Sequence, residues 1–192
     1  LVVRLQQIQK IEDQQKRYQD LEKEAERKIW LYCATEMEIC TGLAGIWIAL
    51  TAGIFIGDEI LKGRMEKRLS GKKQEEKVLK NKILLRLYHN YGAMLDLGQK
   101  RSRAVAITSV LLTLFLSVVF LLTLGKRGNH TLHLGLSLLL GGAYSNTYDR
   151  LKRGYVVDYF SFGVKWRPLR KIVFNLSDFC IMTGAMLTVL AS

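Results

Sequence analysis

Apolar and charged positions fall in long blocks along this chain. Four stretches are apolar and nearly free of charge: Ile39–Gly57, Ala104–Gly125, Thr131–Tyr148 and Ile172–Ser192, the last interrupted by Asp178 alone. Crossing a bilayer as a helix takes about 20 largely apolar residues. The blocks therefore predict an all-α membrane protein with four transmembrane helices. Four such runs are hard to bury inside a soluble bundle of 192 residues, which makes a soluble helical protein the lesser alternative. Ala104–Gly125 is the cleanest run, while Thr131–Tyr148 carries His133 and Asn146.

Ahead of the first block, Leu5, Ile8, Ile11, Tyr18, Leu21, Ala25, Ile29 and Tyr32 recur at helical steps or multiples of them. Neither Gly nor Pro occurs before Gly42. Residues 1–38 thus read as a long charged helical extension, appended to a four-span domain over 39–192 and running straight into its first span. It is either a solvated tail or a coiled-coil arm for a partner, although Gln14 and Gln15 put polar residues in the seam. The start shows no cleavable signal-peptide pattern, and the chain opens on Leu.

Lys62 to Arg103 is basic, with a polar, turn-prone middle at Ser70–Lys82. Ile83–Leu95 is more apolar and predicts a strand pair turning at Gly92. Gly125–His130 reads as a tight turn. Arg150–Lys171 reads as a basic, aromatic loop holding Pro168, with Tyr155, Tyr159 and Trp166 suited to a membrane interface.

The net charge is +12. Beside membrane spans, that excess points to anionic headgroups rather than nucleic acid. Cys33, Cys40 and Cys180 form no metal-binding or CxxC spacing and read as packing residues. His89, His130 and His133 are scattered, and no HExxH, GxSxG or phosphate-loop pattern is present.

Two acids stand out against this background. Asp149 closes the third apolar block and Asp178 lies inside the fourth, each three residues after an asparagine, Asn146 and Asn175. Residues three apart share a helix face, and an ionisable group at membrane depth is a candidate functional residue. In a chain with four crossings, the first exit, the third exit and the fourth start share one membrane face. Asp58, Asp149, Asp178 and the loop carrying Asn90 then gather there, with Asp178 about two turns into the last span.

Paired carboxylates in a poorly solvated site share one proton. The charged member can activate water and the neutral one can protonate a leaving amine, which is aspartic peptide hydrolysis. The asparagines would align the acids or bind the developing oxyanion. A proton or cation path, and a structural pair capped by Arg150, remain open on the same residues.

These residues resemble the motifs of the lipoprotein signal peptidase (signal peptidase II) family. Its GGAxGNxxDR pattern corresponds to Gly141–Arg150, its GxVxDF to Gly154–Tyr159, and its FNxAD to Phe174–Asp178. An Asp-x-x-x-Lys pattern matches Asp58 and Lys62, and Asn-x-Gly-Ala matches Asn90, Gly92 and Ala93. Ser145 replaces a family glycine, Ser177 an alanine and His89 an arginine. The likeness spans roughly residues 43–190 and leaves 1–38 without a counterpart.

The resemblance implies a membrane aspartic endopeptidase with Asp149 and Asp178 as the catalytic pair. Asn146, Asn175, Asn90 and Gly92 would line the site, supported by Asp58, Lys62, Arg150 and Asp158. The substrate would be a diacylglyceryl-modified prolipoprotein cut before its lipidated cysteine, among membrane phospholipids. No metal or cofactor is implied, and a small β platform is implied for the first outer loop. A catalytically silent relative that binds lipidated peptides is the alternative.

The family orientation places the chain in the bacterial cytoplasmic membrane with its active site at the outer face. Positive-inside counting favours the reverse, since the two outer loops would hold 20 Lys and Arg. The family orientation is kept because a lipid-modified substrate is presented at the outer leaflet.

Overall fold

A computed structural model describes residues 2–70, 75–78, 80, 82–93, 101–125 and 128–191, with side chains undescribed at 2–13, 36, 38–40 and 167. The chain divides into two compact units, Leu1–Leu43 and Ala44–Ser192. Helix α1 covers Val2–Leu69. In the first unit its seam residues Tyr18, Leu21, Ile29 and Tyr32 are exposed. Cys33 is exposed as well, so it is not the packing residue expected of it.

In the second unit, α1 is followed by β1 (Glu76–Val78), β2 (Ile83–Asn90), α2 (Ser102–Leu124), α3 (His130–Lys152), β3 (Val156–Phe162), α4 (Arg167–Lys171) and α5 (Leu176–Ala191). Among the described residues, two helical stretches are long and apolar enough to cross a membrane: Thr41–Leu69, with mean hydropathy 1.6, and Ser102–Leu124, with 2.7. Helix α5 is apolar but shorter, at 16 residues. The chain is a membrane protein, and its described residues are mostly helical, with one small sheet.

Two helix boundaries depart clearly from the sequence expectation. The first helix does not end near Gly57. It continues to Leu69, because Asp58 and Lys62 are one turn apart on a buried face and neutralise each other. The last helix starts at Leu176 rather than Ile172. Asn175 caps it, taking the Asp178 amide on its side chain at 2.9 Å, while its own amide donates to Asp178 at 3.0 Å. That reciprocal pair is a capping box, so Asp178 lies in the first turn and not two turns in.

Arg150–Lys171, expected as a loop, holds β3 and α4. The run VVDYFSF is β-branched and aromatic, which suits a half-buried strand. The sheet is antiparallel, in the order β1-β2-β3. Strand β2 matches the expected platform. The strand expected beyond Gly92 falls partly at residues 94–95, outside the described residues, and β2 instead pairs with β1 and β3. Its register places Asn90 opposite Val156 and Tyr88 opposite Asp158. The amide of Asn90 therefore reaches the acid of Asp158.

Helix α3 lies at the centre. Phe120, Leu136 and Leu140 form its apolar core, with Trp47 and Leu139 packed on it. His133 is buried there and bonds the Thr123 carbonyl at 2.8 Å, which accounts for a polar ring inside an apolar helix. Close approach is made through Gly135, Gly141, Gly142 and Gly184, two of them toward the polar end of α3. A Cβ on Gly141 would stand 2.9 Å from the Thr51 carbonyl of α1, and one on Gly142 would stand 2.6 Å from the Ser177 carbonyl of α5. Any side chain at either position would push those helices off α3.

Candidate active site

Beside Gly142, where α5 meets α3, the start of α5 brings Asp178 under Asn146. The Asn146 amide donates to Asp178 Oδ1 at 3.1 Å. Asn175 bonds both acids, Asp158 and Asp178. Its side-chain nitrogen donates to Asp158 Oδ1 at 2.7 Å and to Asn146 Oδ1 at 3.2 Å. Asn90 donates to the other oxygen, Asp158 Oδ2, at 3.2 Å. All four oxygens of Asp158 and Asp178 thus accept from an amide, either side-chain or backbone.

Asn90, Asn146, Asp158 and Asp178 line one cavity of about 330 Å³, together with Ala93, Arg150 and apolar residues of α2, α3 and α5, while Asn175 is buried behind them. Arg150 closes its rim, donating to the carbonyls of Asn146 at 3.1 Å and of Gly92 at 3.0 Å. Among the described residues, no lysine or arginine lies within ion-pair distance of Asp158 or Asp178. Burial pushes the Asp158 carboxyl up to about 8, and the negative charge of Asp178 adds to the rise. Asp158 therefore carries its proton near neutral pH.

Asp149 stands elsewhere. It is fully buried and lies outside the cavity lining. Its Oδ2 is 2.9 Å from Lys62 Nζ and accepts from the Val157 amide at 3.2 Å, while its Oδ1 is 3.1 Å from the Arg153 guanidinium. The cation that caps it is Arg153, not the expected Arg150. The expected pairing of Asp149 with Asp178 is therefore not what the fold brings together, since two cations neutralise Asp149. Asp158, expected only as a supporting residue, is the acid that shares the cavity with Asp178.

Lys62 is the hub of a second cluster. Its fully buried ammonium contacts Asp58 Oδ2 at 3.0 Å, Ser145 Oγ at 2.8 Å and Asn146 Oδ1 at 3.0 Å, besides Asp149. A buried lysine needs such partners to remain charged. It also fixes which way the Asn146 amide points, so that its nitrogen faces Asp178.

Tyr159, expected at the membrane interface, is buried and donates to Asp58 Oδ1 at 3.3 Å. Burial, reinforced by the charge of Asp58, pushes its phenol above the ordinary tyrosine range and keeps it protonated. Trp166 is exposed, as an interfacial residue would be in water. His89 rests against Tyr155 with ring centres 4.2 Å apart and lies 3.4 Å from Glu66.

Asp58, Asp149 and Asp178 do gather in one region, as counting crossings implied. The counting could not reveal which acid faces the cavity. A signal for Asp158 was present: it is the lone charge in Val156–Phe162, flanked by Val157 and Tyr159.

Comparison with known proteins leads to the same place. The sequence model described as Signal peptidase (SPase) II matches residues 50–192. A lipoprotein signal peptidase of Caldicellulosiruptor bescii is 31% identical over 141 residues, covering 73% of this chain and 85% of that protein. A lipoprotein signal peptidase of Pseudomonas aeruginosa is 30% identical over 147 residues, covering 75% and 85%. A solved structure of a bacterial membrane enzyme superposes with a TM-score of 0.64 at 20% identity, over 77% of this chain and 87% of that one. A second superposes with a TM-score of 0.60 at 20% identity, over 77% and 92%. The chain belongs to the signal peptidase II family of aspartic endopeptidases.

Proposed function

We propose that Asp158 and Asp178 carry the hydrolysis by which this membrane endopeptidase removes signal peptides from prolipoproteins. The observation that carries this reading is Asn175, whose side-chain amide holds Asp158 while its backbone amide and cap hold Asp178, two acids that line a single cavity and that no described lysine or arginine reaches at ion-pair distance. Two acids so placed share one proton. The ionised member takes a proton from water, and the water oxygen attacks the scissile carbonyl carbon. The neutral member donates to the carbonyl oxygen, and a proton passes to the leaving nitrogen as the carbon–nitrogen bond breaks. One water is consumed, leaving a new carboxylate on the signal peptide and a free amine on the cysteine. The apolar wall of the cavity, including Leu112, Leu116, Ile181 and Met182, suits a substrate whose cysteine bears acyl chains.

The membrane arrangement belongs to the same proposal. Helices α3 and α5 complete four crossings of the bacterial cytoplasmic membrane, with the cavity at the outer face and the basic loops resting on anionic headgroups. A cysteine placed at Ser70 should then be labelled only from outside; labelling only from the cytoplasm would reverse the orientation. Residues 1–38 would be a coiled-coil arm, a reading supported by the exposed seam at Tyr18, Leu21, Ile29 and Tyr32.

The test is mass spectrometry of a diacylglyceryl lipobox peptide incubated with purified chain. Cleavage just before the lipidated cysteine is expected, and should be lost with Asp158→Asn or Asp178→Asn. Binding without cleavage would favour the silent relative.

A further inference from the structure

Asp58 collects hydroxyls from three different elements. Ser145 of α3 donates to Oδ2 at 2.7 Å, Ser177 of α5 donates to the same oxygen, and Tyr159 of β3 donates to Oδ1. Asp58, Ser145 and Ser177 are fully buried, and Tyr159 nearly so. The Tyr159 hydroxyl also accepts from the Leu176 amide at 2.9 Å, which ties β3 to the first residue of α5.

Each hydroxyl sits on the chain neighbour of a cavity residue. Ser145 precedes Asn146, Tyr159 follows Asp158, and Ser177 precedes Asp178. One carboxylate on α1 therefore grips α3, β3 and α5 a single residue away from each polar group that meets the substrate. Ser145, Tyr159 and Ser177 stand where the motif patterns have Gly, Phe and Ala. None of those three carries a hydroxyl, so the grip is built from this chain's own departures. A salt link to Lys62 alone would neutralise Asp58, but would not tie β3 or α5 to it.

We infer that Asp58 is a positioning residue for the reaction, acting through the hydroxyls of Ser145, Tyr159 and Ser177 to set the spacing of Asn146, Asp158 and Asp178. This rests on the reading of Asp158 and Asp178 as the hydrolytic pair. Reacting groups must be held closely, since a displacement of about 1 Å can lower a rate on the order of 100-fold. Ser145, Tyr159 and Ser177 lie outside the cavity lining, so loosening this grip should lower kcat and leave KM nearly unchanged.

The experiment uses the purified full chain and the lipidated peptide. It compares Ser145→Ala, Tyr159→Phe, Ser177→Ala and the triple variant, recording kcat, KM and unfolding temperature. Each single variant should fold, lose on the order of tenfold in kcat and keep KM within about twofold. Because all three act through one carboxylate, the triple variant should lose much less than the product of the single losses. In an Asp58→Ala background, which leaves the hydroxyls no side-chain oxygen to donate to, removing a hydroxyl should cause no further loss in kcat per folded molecule. Wild-type kcat in the single variants, losses that multiply fully, or losses confined to unfolding temperature would overturn the inference. No cleavage by the wild type, or normal cleavage by Asp158→Asn, would instead sink the underlying reading.

Discussion

Two groups of buried acids lie side by side in this fold, and they are held in opposite ways. Asp58 and Asp149 are neutralised by Lys62, with Arg153 on the far side of Asp149. Asp158 and Asp178 are held only by amides, from Asn90, Asn146 and Asn175. A cation at ion-pair distance holds a buried carboxylate as half of a charge pair. Amides align a carboxylate without fixing its charge. The ion-paired group therefore reads as scaffold and the amide-held group as chemistry, though Asp149 and Asp158 are only nine residues apart.

The contrast can be broken most sharply at the amide-held pair. Asp158→Asn and Asp178→Asn should each reduce cleavage of a lipidated peptide by at least roughly 1,000-fold, with the unfolding temperature maintained. Asn175→Ala should come next, at on the order of 100-fold in kcat, since one side chain orients both acids. On the scaffold side, Lys62→Met leaves two buried carboxylates short of a counter-charge. Its effect should be a stability loss of about 3 kcal/mol, read from thermal unfolding in detergent.

A pH-dependent effect follows from Asp158 alone. Its carboxyl sits at about 8 in the fold against an ordinary 3.8. Between those values the folded chain keeps a proton that the unfolded chain has released. Stability should therefore fall as pH rises from 3.8 to about 8, and level off above. Asp158→Asn should flatten that slope, and the wild-type cleavage rate should decline above about pH 8 as the shared proton is lost. A stability curve rising across the same window would contradict the burial argument. Deleting residues 1–38 should have the least effect, leaving peptide turnover unchanged; a large fall in turnover would give the extension a role in the site.

Much of this was readable from residue patterns. The apolar blocks located the apolar helices, and Asn90, Asn146, Asn175 and Asp178 stand out as site residues from sequence alone. Asp158 was seen but ranked as support, because acids were sought at helix ends and Val156–Phe162 was taken for loop. Its partner strand lies across the interval from Asn90 to Val156, and no local pattern announces a pairing over that separation. The spacing Asn175-x-x-Asp178 was read as one helix face, although it equally spells a capping box, and the cap is what the fold uses. The hydroxyls on Asp58 were invisible for a different reason: they converge from three elements far apart in the chain.

The most direct test sets Asp149→Asn beside Asp158→Asn in one preparation, measuring kcat per folded molecule and unfolding temperature for each. The division of roles predicts an inert but stable Asp158→Asn, and an Asp149→Asn that unfolds earlier yet cleaves within about tenfold of wild type. An inert, stable Asp149→Asn beside an active Asp158→Asn would contradict it.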